Sequence, residues 1–330
     1  MPSEPLLRVR DLVKHFPLPR TILDVVGRRP PEAVRAVDGV SFDLTRGTTL
    51  GLVGESGCGK STLGRCILRL YQPDSGAVWY GDVDLAALDE RALAPFRRRM
   101  QVVLQDPYSS LDPRQSVGSA LMEVLSVHGI GTPADRPGRV ATLLGLVGLN
   151  AADAHKYPGE FSGGQRQRIS IARALAVGPE LLVADEPVSA LDVSIQAQIL
   201  RLLLDLRGSL GLTMMFISHD LRVVRYLSDE VAVMYLGKIV EQAPAAALFS
   251  RPLHPYTLAL LSAIPEVEAA PRQLIEIEGE PPSAVRVPRG CRFHPRCPWR
   301  TPRCLEEAPA LRSLASGHFV ACHEAERHAG

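Results

Sequence analysis

The sequence has 330 residues, of which 46% are hydrophobic and 22% charged, and its formal net charge is +1. Such a composition is typical of a globular protein with one large domain or two. A charge so close to zero gives no electrostatic reason to expect nucleic acid as a partner. No apolar run approaches the roughly 18–20 residues that a membrane-spanning helix needs. The N-terminal MPSEPLLRVR lacks the apolar core of a signal peptide, so the sequence predicts a cytosolic protein.

Strand-like segments occupy the first part of the chain. Residues 6–13 alternate apolar and polar side chains like an edge strand, and a loop rich in Pro and Arg is predicted over 17–31. The stretch AVDGVSFDLTRGTTLGLVGESG predicts two strands that are separated at Arg46 and Gly47. The second strand leads into a Gly-rich loop and then the predicted helix STLGRCILRLY, which is the context that a phosphate-binding loop requires.

Helical spacing dominates the middle of the chain. SVGSALMEVLSVHG and ADRPGRVATLLGLVGL carry apolar residues at i, i+3 and i+4, so we expect a helical subdomain at about 106–160. Further along, the predicted buried strands LLVADEP and TMMFISHD alternate with predicted helices, which favours a largely parallel α/β sheet. From about Pro252 prolines and cysteines become frequent and periodicity fades, so we expect a separate C-terminal module at 252–330.

The Gly-rich loop GESGCGKST spans residues 54–62. Its glycines allow the backbone to turn tightly and to direct its N–H groups at phosphate oxygens, and the following helix adds its positive dipole end. In this pattern Lys60 would reach the β- and γ-phosphates and the Ser61 hydroxyl would bind Mg²⁺. A purely structural turn is the alternative, but Lys and Ser in register after a strand argue against it.

The stretch LLVADEP supplies the second half of a nucleotide site. Its apolar residues predict a buried strand that delivers Asp185 and Glu186 to its end. Asp185 would hold Mg²⁺, and Glu186 would polarise the attacking water as a general base. An isolated Asp-Glu pair is usually a solvated turn, but here it lies 125 residues after Lys60 in a chain with a phosphate loop.

The stretch FSGGQRQRISIARAL predicts a second anion-binding helix start, at Ser162, Gly163, Gly164 and Gln165. One nucleotide does not need two such anchors from one chain in one site. Two chains that face each other head to tail would use both, because the loop of one and the SGGQ of the other would hold the same γ-phosphate. The sequence therefore predicts a composite site between two chains.

Together these motifs resemble the ATP-binding cassette (ABC) family, and specifically its transporter ATPase subunits, over residues 6–250. FSGGQ differs from the family signature LSGGQ only in Phe161. The resemblance implies an α/β ABC ATPase nucleotide-binding domain at 1–251, with a RecA-like parallel-sheet core, an antiparallel β subdomain and the helical subdomain. It also implies an active ATPase that uses ATP and Mg²⁺, since every catalytic position is filled.

The resemblance assigns roles to further residues. Gln105 matches the loop glutamine that senses Mg²⁺ and faces the membrane subunit, Asp192 the loop that couples the two nucleotide sites, and His219 the switch histidine that contacts the γ-phosphate. Phe16 matches the aromatic side chain that stacks on adenine. The loop residues implied to bind ATP are Gly54, Glu55, Ser56, Gly57, Cys58, Gly59, Lys60, Ser61 and Thr62.

Three other segments narrow the resemblance to the dipeptide/oligopeptide importer ATPases of bacteria. They are LQDPYSSLDPR, HPYTLALLSAIP and GEPPSAVRVPRGCRFHPRCPWRTPRC. A long insert before Val37 is more similar to the F-type subunit than to its D-type sibling. The group implies a heterodimer with a D-type ATPase, two transmembrane permease subunits, an extracytoplasmic peptide-binding protein and a place at the cytoplasmic face of the inner membrane.

Two alternatives to peptide import stay open at this point. The same architecture also serves other cargoes, such as nickel, oligosaccharides or modified peptides. A non-transport ABC ATPase acting in DNA repair or on ribosomes is the second alternative. The interval between the two nucleotide motifs carries no sustained heptads, and the chain contains one cassette, both of which argue against this second class.

Four cysteines lie near the C-terminus, Cys291, Cys297, Cys304 and Cys322, with the spacing C-x5-C-x6-C-x17-C. The usual short zinc knuckle is missing, whereas four thiolates are the usual ligands of a 4Fe–4S cluster. The resemblance favours this cluster, because some peptide-importer ATPases carry one. Zinc and unliganded or partly disulfide-linked thiols are the alternatives, and the candidates for substitute ligands are His294, His318 and His323.

Overall fold

The computed structural model describes residues 4–20, 31–106, 111–263, 277 and 279–328. It divides into two compact units. The first unit comprises Met1–Glu4, Thr45–Thr49 and Leu88–Ile217. The second unit comprises Pro5–Leu44, Leu50–Ala87 and Ser218–Gly330.

The strands and helices follow one another much as the hydrophobic pattern predicts. The strands are β1 (Pro5–Pro17), β2 (Ala33–Thr45), β3 (Thr49–Val53), β4 (Ser75–Tyr80), β5 (Val83–Asp84), β6 (Met100–Val103), β7 (Leu181–Asp185), β8 (Thr213–Ile217), β9 (Glu230–Tyr235), β10 (Lys238–Pro244), β11 (Arg312–Ala315) and β12 (His318–Val320). The helices are α1 (Lys60–Ile67), α2 (Glu90–Arg99), α3 (Val117–Val127), α4 (Arg136–Leu146), α5 (Gly163–Leu175), α6 (Val193–Leu210), α7 (Leu221–Leu227), α8 (Ala245–Ser250), α9 (Pro255–Ser262) and α10 (Pro302–Glu306). None of these helices is both long and apolar enough to cross a membrane.

The first unit is built on the parallel strands β6, β7 and β8. β7 lies between the other two and pairs in parallel with both. Every residue of β7 and β8 is buried, which explains why these two segments are continuous apolar runs rather than alternating ones. The predicted parallel sheet is therefore confirmed in this unit.

Helices fill the part of the first unit between β6 and β7. Ser116 caps the start of α3, and its side chain accepts a hydrogen bond from the N–H of Ser119. α4 buries Val140, Leu143 and Leu144 on one face, as its apolar spacing predicts. Both helices lie inside the segment for which helical periodicity was predicted.

The second unit contains two sheets. Four strands form one sheet in the order β2-β1-β4-β5, in which β1 and β4 are antiparallel. In the other, β3 is parallel to β9, and β9, β10, β12 and β11 follow as antiparallel neighbours. The predicted combination of a parallel core with antiparallel β structure is thus confirmed.

The expected separate Cys- and Pro-rich module is not confirmed, because its strand β12 pairs with β10. A buried carboxylate fixes this junction. Glu241 is fully buried and accepts hydrogen bonds from the N–H groups of Leu253 (2.7 Å) and His254 (3.0 Å), while His318 Nε2 lies 2.7 Å from its Oε1. Buried polar groups of this kind are costly unless paired, so these partners tie the C-terminal residues to β10.

Candidate nucleotide site

The Gly-rich loop connects the buried strand β3 to helix α1. Gly54 and Gly59 have φ angles of 151° and 111°, a region that side chains disfavour. A Cβ at Gly54 would lie 2.2 Å from the Met234 carbonyl oxygen, and one at Gly59 would lie 1.9 Å from the Ala36 carbonyl oxygen. The backbone packs so closely here that only glycine fits at these two positions.

Lys60 is held inside this loop. Its side chain is buried, and Nζ donates to the carbonyl oxygens of Gly54 (2.8 Å) and Glu55 (3.1 Å). No side chain caps the start of α1, so its first N–H groups are not occupied by a cap. Ser61 and Thr62 follow in the first turn and are half-buried. A pre-positioned ammonium at an uncapped helix start is suited to binding phosphate.

Cys58 lies inside the loop, and its sulfur is buried. Burial raises the pKa of the Cys58 thiol, although Lys60 opposes the shift. A buried, protonated thiol is unreactive, so the structure favours a small packing residue over a reactive cysteine.

Two other residues of the second unit that are predicted to contact ATP, Phe16 and His219, are distant from this loop in sequence. Phe16 is half-buried, and its ring contacts Tyr71 edge-on with centroids 5.5 Å apart. His219 is exposed and follows Ser218, whose N–H donates to the carbonyl oxygen of Leu52 at 3.1 Å. That bond places the start of the histidine segment beside the end of β3, from which the loop departs.

In the first unit, β7 delivers the acidic pair to its carboxyl end. Asp185 is buried and Glu186 is half-buried. The φ of Glu186 is 48°, its N–H donates to the Ile217 carbonyl oxygen at 3.0 Å, and its own carbonyl accepts from the N–H and hydroxyl of Ser189 at 3.3 and 3.1 Å. A non-glycine residue held in this conformation carries backbone strain, which is often found at functional sites.

The SGGQ stretch begins helix α5. Ser162 Oγ accepts from the N–H of Gln165 at 3.3 Å, and Gln165 Oε1 accepts from the N–H of Ser162 at 2.9 Å. This reciprocal capping box fixes the helix start while both side chains stay exposed. The tight turn is thus presented at the surface of the unit, as a site completed by another chain requires.

The two glycines of SGGQ pack against the segment that contains Asp192. A Cβ on Gly163 would lie 3.4 Å from Leu191, and one on Gly164 would lie 2.4 Å from Ile195. Gln105 follows β6 and is exposed, as is Asp192. In the first unit the structure therefore brings the SGGQ helix start and the Asp192 loop into contact, while the acidic pair is joined to that loop through Ser189.

The four C-terminal cysteines line one small pocket together with His294 and His323. Within the described residues, which include all of these side chains, no group of three or more His, Cys, Asp or Glu is arranged to hold a metal ion. The predicted 4Fe–4S cluster therefore gains no support. The proposed substitute ligand His318 lies elsewhere, because its ring is paired with Glu241.

Burial affects the pKa of three of these thiols. It raises the pKa of Cys297 to about 11 and that of Cys322 to about 12, and it raises the pKa of Cys291 as well. Thiols are neutral below their pKa, so these side chains are stable in the folded protein as protonated groups. Since the pKa in the unfolded chain is near 9.0, this stabilisation is present below pH 9 and is lost as the pH rises toward 11–12.

We therefore expect iodoacetamide to alkylate Cys291, Cys297 and Cys322 of the native, metal-free protein at least about tenfold more slowly than the same cysteines of the unfolded chain at pH 8. Mass spectrometry of peptides after timed quenching measures these rates. Alkylation of the native, metal-free protein as fast as that of the unfolded chain would contradict this account of the thiols as buried, protonated groups.

One feature of the phosphate loop could not be read from the sequence. Tyr256 and Arg296 both contact Glu55, from positions 201 and 241 residues further along the chain. The only sequence signal at these positions was the likeness of HPYTLALL and RGCRFHPRC to a family, because neither segment has a catalytic motif or a clear periodicity.

Comparison with known proteins agrees with this geometry. Residues 37–189 match the family model described as ABC transporter, and residues 240–304 match the one described as oligopeptide/dipeptide transporter, C-terminal region. The oligopeptide transport ATP-binding protein AppF of Bacillus subtilis is 49% identical over 97% of this chain and 98% of its own. A Brucella ovis protein, named provisionally for peptide import and ATP binding, is 50% identical over 98% of both chains.

Solved structures give the same result at lower identity. A dimeric ATP-binding cassette bound to ADP and phosphate is 26% identical, with a TM-score of 0.63, and covers 72% of this chain and 98% of its own. The protein cbiO1 of Clostridium perfringens, part of the ABC transporter complex cbiONQ, is 25% identical, with the same TM-score of 0.63, and covers 75% of this chain and 92% of its own. The chain belongs to the ABC transporter family of ATP-binding proteins, and within it to the oligopeptide/dipeptide group.

Proposed function

We propose that this chain is the ATP-hydrolysing subunit that energises import of di- or oligopeptides through a bacterial ABC transporter. The observation that carries the proposal is the match of residues 240–304 to the oligopeptide/dipeptide transporter C-terminal region, in a chain that is about half identical to oligopeptide transport ATPases over nearly its whole length. Other cargoes on the same architecture remain the second candidate, because the cargo is selected by subunits outside this chain.

The residues of the predicted nucleotide motifs bind ATP and Mg²⁺ in this proposal. Lys60 and the loop N–H groups hold the β- and γ-phosphates, Phe16 stacks on adenine, and Ser61 and Asp185 would hold Mg²⁺ with help from Gln105. The support is the closely packed glycine loop, the buried ammonium of Lys60 and the buried carboxylate of Asp185. Mg²⁺ would supply neutralisation of the phosphate charge.

Hydrolysis is assigned to Glu186 and His219. Glu186 orients and deprotonates the attacking water, and His219 contacts the γ-phosphate. The strained backbone of Glu186 and its hydrogen bonds to Ile217 and Ser189 support this role, because they fix the position of the backbone that carries the carboxylate side chain. One chain binds ATP, and Ser162–Gln165 of a second chain complete the binding site. Hydrolysis of ATP therefore removes the γ-phosphate that bridges the two chains.

The partners follow from peptide import. An importer needs membrane permease subunits and an extracytoplasmic peptide-binding protein, and this chain has no described helix that could cross the membrane. We place it at the cytoplasmic face of the inner membrane, paired with a D-type ATPase. Its cassette comprises residues 1–251 and its C-terminal region residues 252–330. The helical subdomain at about 106–160 contacts the permeases. The further proposal of a 4Fe–4S cluster at the four cysteines rests on their shared pocket and on the family resemblance.

Uptake measurements in cells test this function. In cells where this chain is the remaining peptide-importer ATPase, we expect its removal to abolish uptake of a labelled tripeptide, with uptake of labelled nickel and maltotriose unchanged. Restoring the chain should restore peptide uptake. If removal of the chain abolished nickel or maltotriose uptake and left peptide uptake unchanged, the cargo would be nickel or an oligosaccharide instead.

A further inference from the structure

The C-terminal region contacts the phosphate loop at Glu55. The Arg296 guanidinium donates from Nη1 to Glu55 Oε2 at 2.9 Å and from Nη2 to Oε1 at 3.1 Å, which is a bidentate pair. The side chains of Arg296 and Glu55 are 8% and 27% exposed, so the pair is largely shielded from water. A shielded bidentate pair holds its partners in one geometry far better than an exposed one does.

A second contact fixes the backbone of the same residue. The Glu55 N–H donates to the Tyr256 hydroxyl at 2.8 Å. The Tyr256 ring is fully buried and packs against Tyr235 and Phe293, with ring centroids 4.8 and 5.5 Å away. Because the ring cannot move within this aromatic cluster, its hydroxyl is a fixed acceptor for the loop.

The third polar group of Glu55 connects these contacts to the nucleotide-binding lysine. Its carbonyl oxygen accepts from Lys60 Nζ at 3.1 Å. All three groups of Glu55 are therefore bonded: the carboxylate to Arg296, the N–H to Tyr256 and the carbonyl to Lys60. Any shift of residue 55 would move an acceptor of the lysine ammonium.

More of the C-terminal region lies against the loop. Pro281, Pro282 and Ala284 line a pocket together with Ser56 and Gly57. The loop is thus enclosed on the side of Glu55 by a segment outside the ABC transporter match at residues 37–189.

We infer that Arg296 and Tyr256 are positioning residues for ATP binding, which hold the phosphate loop in its binding conformation through Glu55. The inference rests on the proposed ATP site. Neither residue contacts the phosphates in this account; they act by keeping the Gly54–Glu55 carbonyls, and with them the Lys60 ammonium, where the nucleotide needs them. Preorganisation of this kind improves affinity by lowering the cost of ordering the loop.

The test compares two arginines of the same region. Arg296→Met removes the pair with Glu55. Arg292→Met is the matched control, because Arg292 is similarly buried and bonds to Asp38 and the Leu236 carbonyl, which lie outside the phosphate loop. Affinity for a fluorescent ATP analogue, melting temperature and the separate values of kcat and KM are measured for each.

We expect Arg296→Met to weaken nucleotide binding about tenfold and to raise KM similarly, with kcat within about twofold of the wild type. Glu55→Gln should have the same effect, and adding Arg296→Met to it should cost little more. Arg292→Met should lower the melting temperature and leave affinity within about twofold. The charge-swapped pair Glu55→Arg with Arg296→Glu should recover part of the affinity.

Equal loss of affinity in the two arginine variants would overturn the inference, since both would then act by loosening the C-terminal region. Unchanged affinity in a folded Arg296→Met protein would overturn it as well. If Arg296→Met does not fold, the milder variants Tyr256→Phe and Arg296→Lys replace it in the same experiment. We expect each of them to lose less nucleotide affinity than Arg296→Met would. Failure of the wild-type protein to bind ATP would instead contradict the proposed function.

Discussion

Replacing Glu186 with Gln is expected to lower ATP turnover by about 10²- to 10⁴-fold, while ATP binding stays within about twofold of the wild type. The amide keeps the size of the side chain and its backbone bonds to Ile217 and Ser189, but it cannot accept a proton from water. Steady-state phosphate release gives turnover, and equilibrium binding of labelled ATP gives affinity.

The control for this variant is Glu90→Gln. Glu90 is an exposed carboxylate in the same unit, paired with Arg97 across the surface of α2, so its loss should leave turnover within about twofold. Near-normal turnover in Glu186→Gln would show that another group activates the water.

Replacing Lys60 with Met is expected to weaken ATP binding by about 100-fold, because the ammonium supplies charged hydrogen bonds to the phosphates. Methionine fills the same buried space, so we expect the fold to be kept. Calorimetric titration with MgATP measures the affinity, and far-ultraviolet circular dichroism checks the fold.

Lys238→Met is the matched comparison, since Lys238 is a half-buried lysine of the same unit that lies outside the loop. It should bind MgATP as the wild type does. If Lys60→Met bound MgATP as tightly as Lys238→Met, the phosphates would have to be held by other cations.

The elements that carry nucleotide chemistry were predictable because each has a local cause. The apolar runs LLVADEP and TMMFISHD became the buried strands β7 and β8, and the Gly-Lys-Ser register placed Lys60 at the start of α1. Helical spacing likewise anticipated α3 and α4. In each case a period or a backbone requirement within about ten residues decides the structure.

The C-terminal region was less predictable because its order comes from contacts between distant residues. β12 is only three residues long and pairs with β10, and a buried carboxylate, Glu241, anchors it. No hydrophobic periodicity in the local sequence predicts such a strand. The same holds for the Glu55–Arg296 pair, whose members are 241 residues apart.

The 4Fe–4S prediction gained no support, for a related reason. The spacing alone was compatible with four thiolate ligands, and the structure does bring the four cysteines to one pocket. Ligation also needs sulfurs that converge on one point, and the described side chains include no group of three or more His, Cys, Asp or Glu that could hold a metal ion. Side-chain direction and burial are not encoded in spacing.

The central claim is that ATP joins two cassettes, with the loop of one chain and the Ser162–Gln165 helix start of the other on the same nucleotide. Size-exclusion chromatography with light scattering on the Glu186→Gln protein, mixed with its partner ATPase, tests this most directly. We expect the mass of one cassette without nucleotide and of two cassettes with MgATP, with Ser162→Arg in this chain preventing the increase. Saturated ATP binding at the mass of one cassette would contradict the claim.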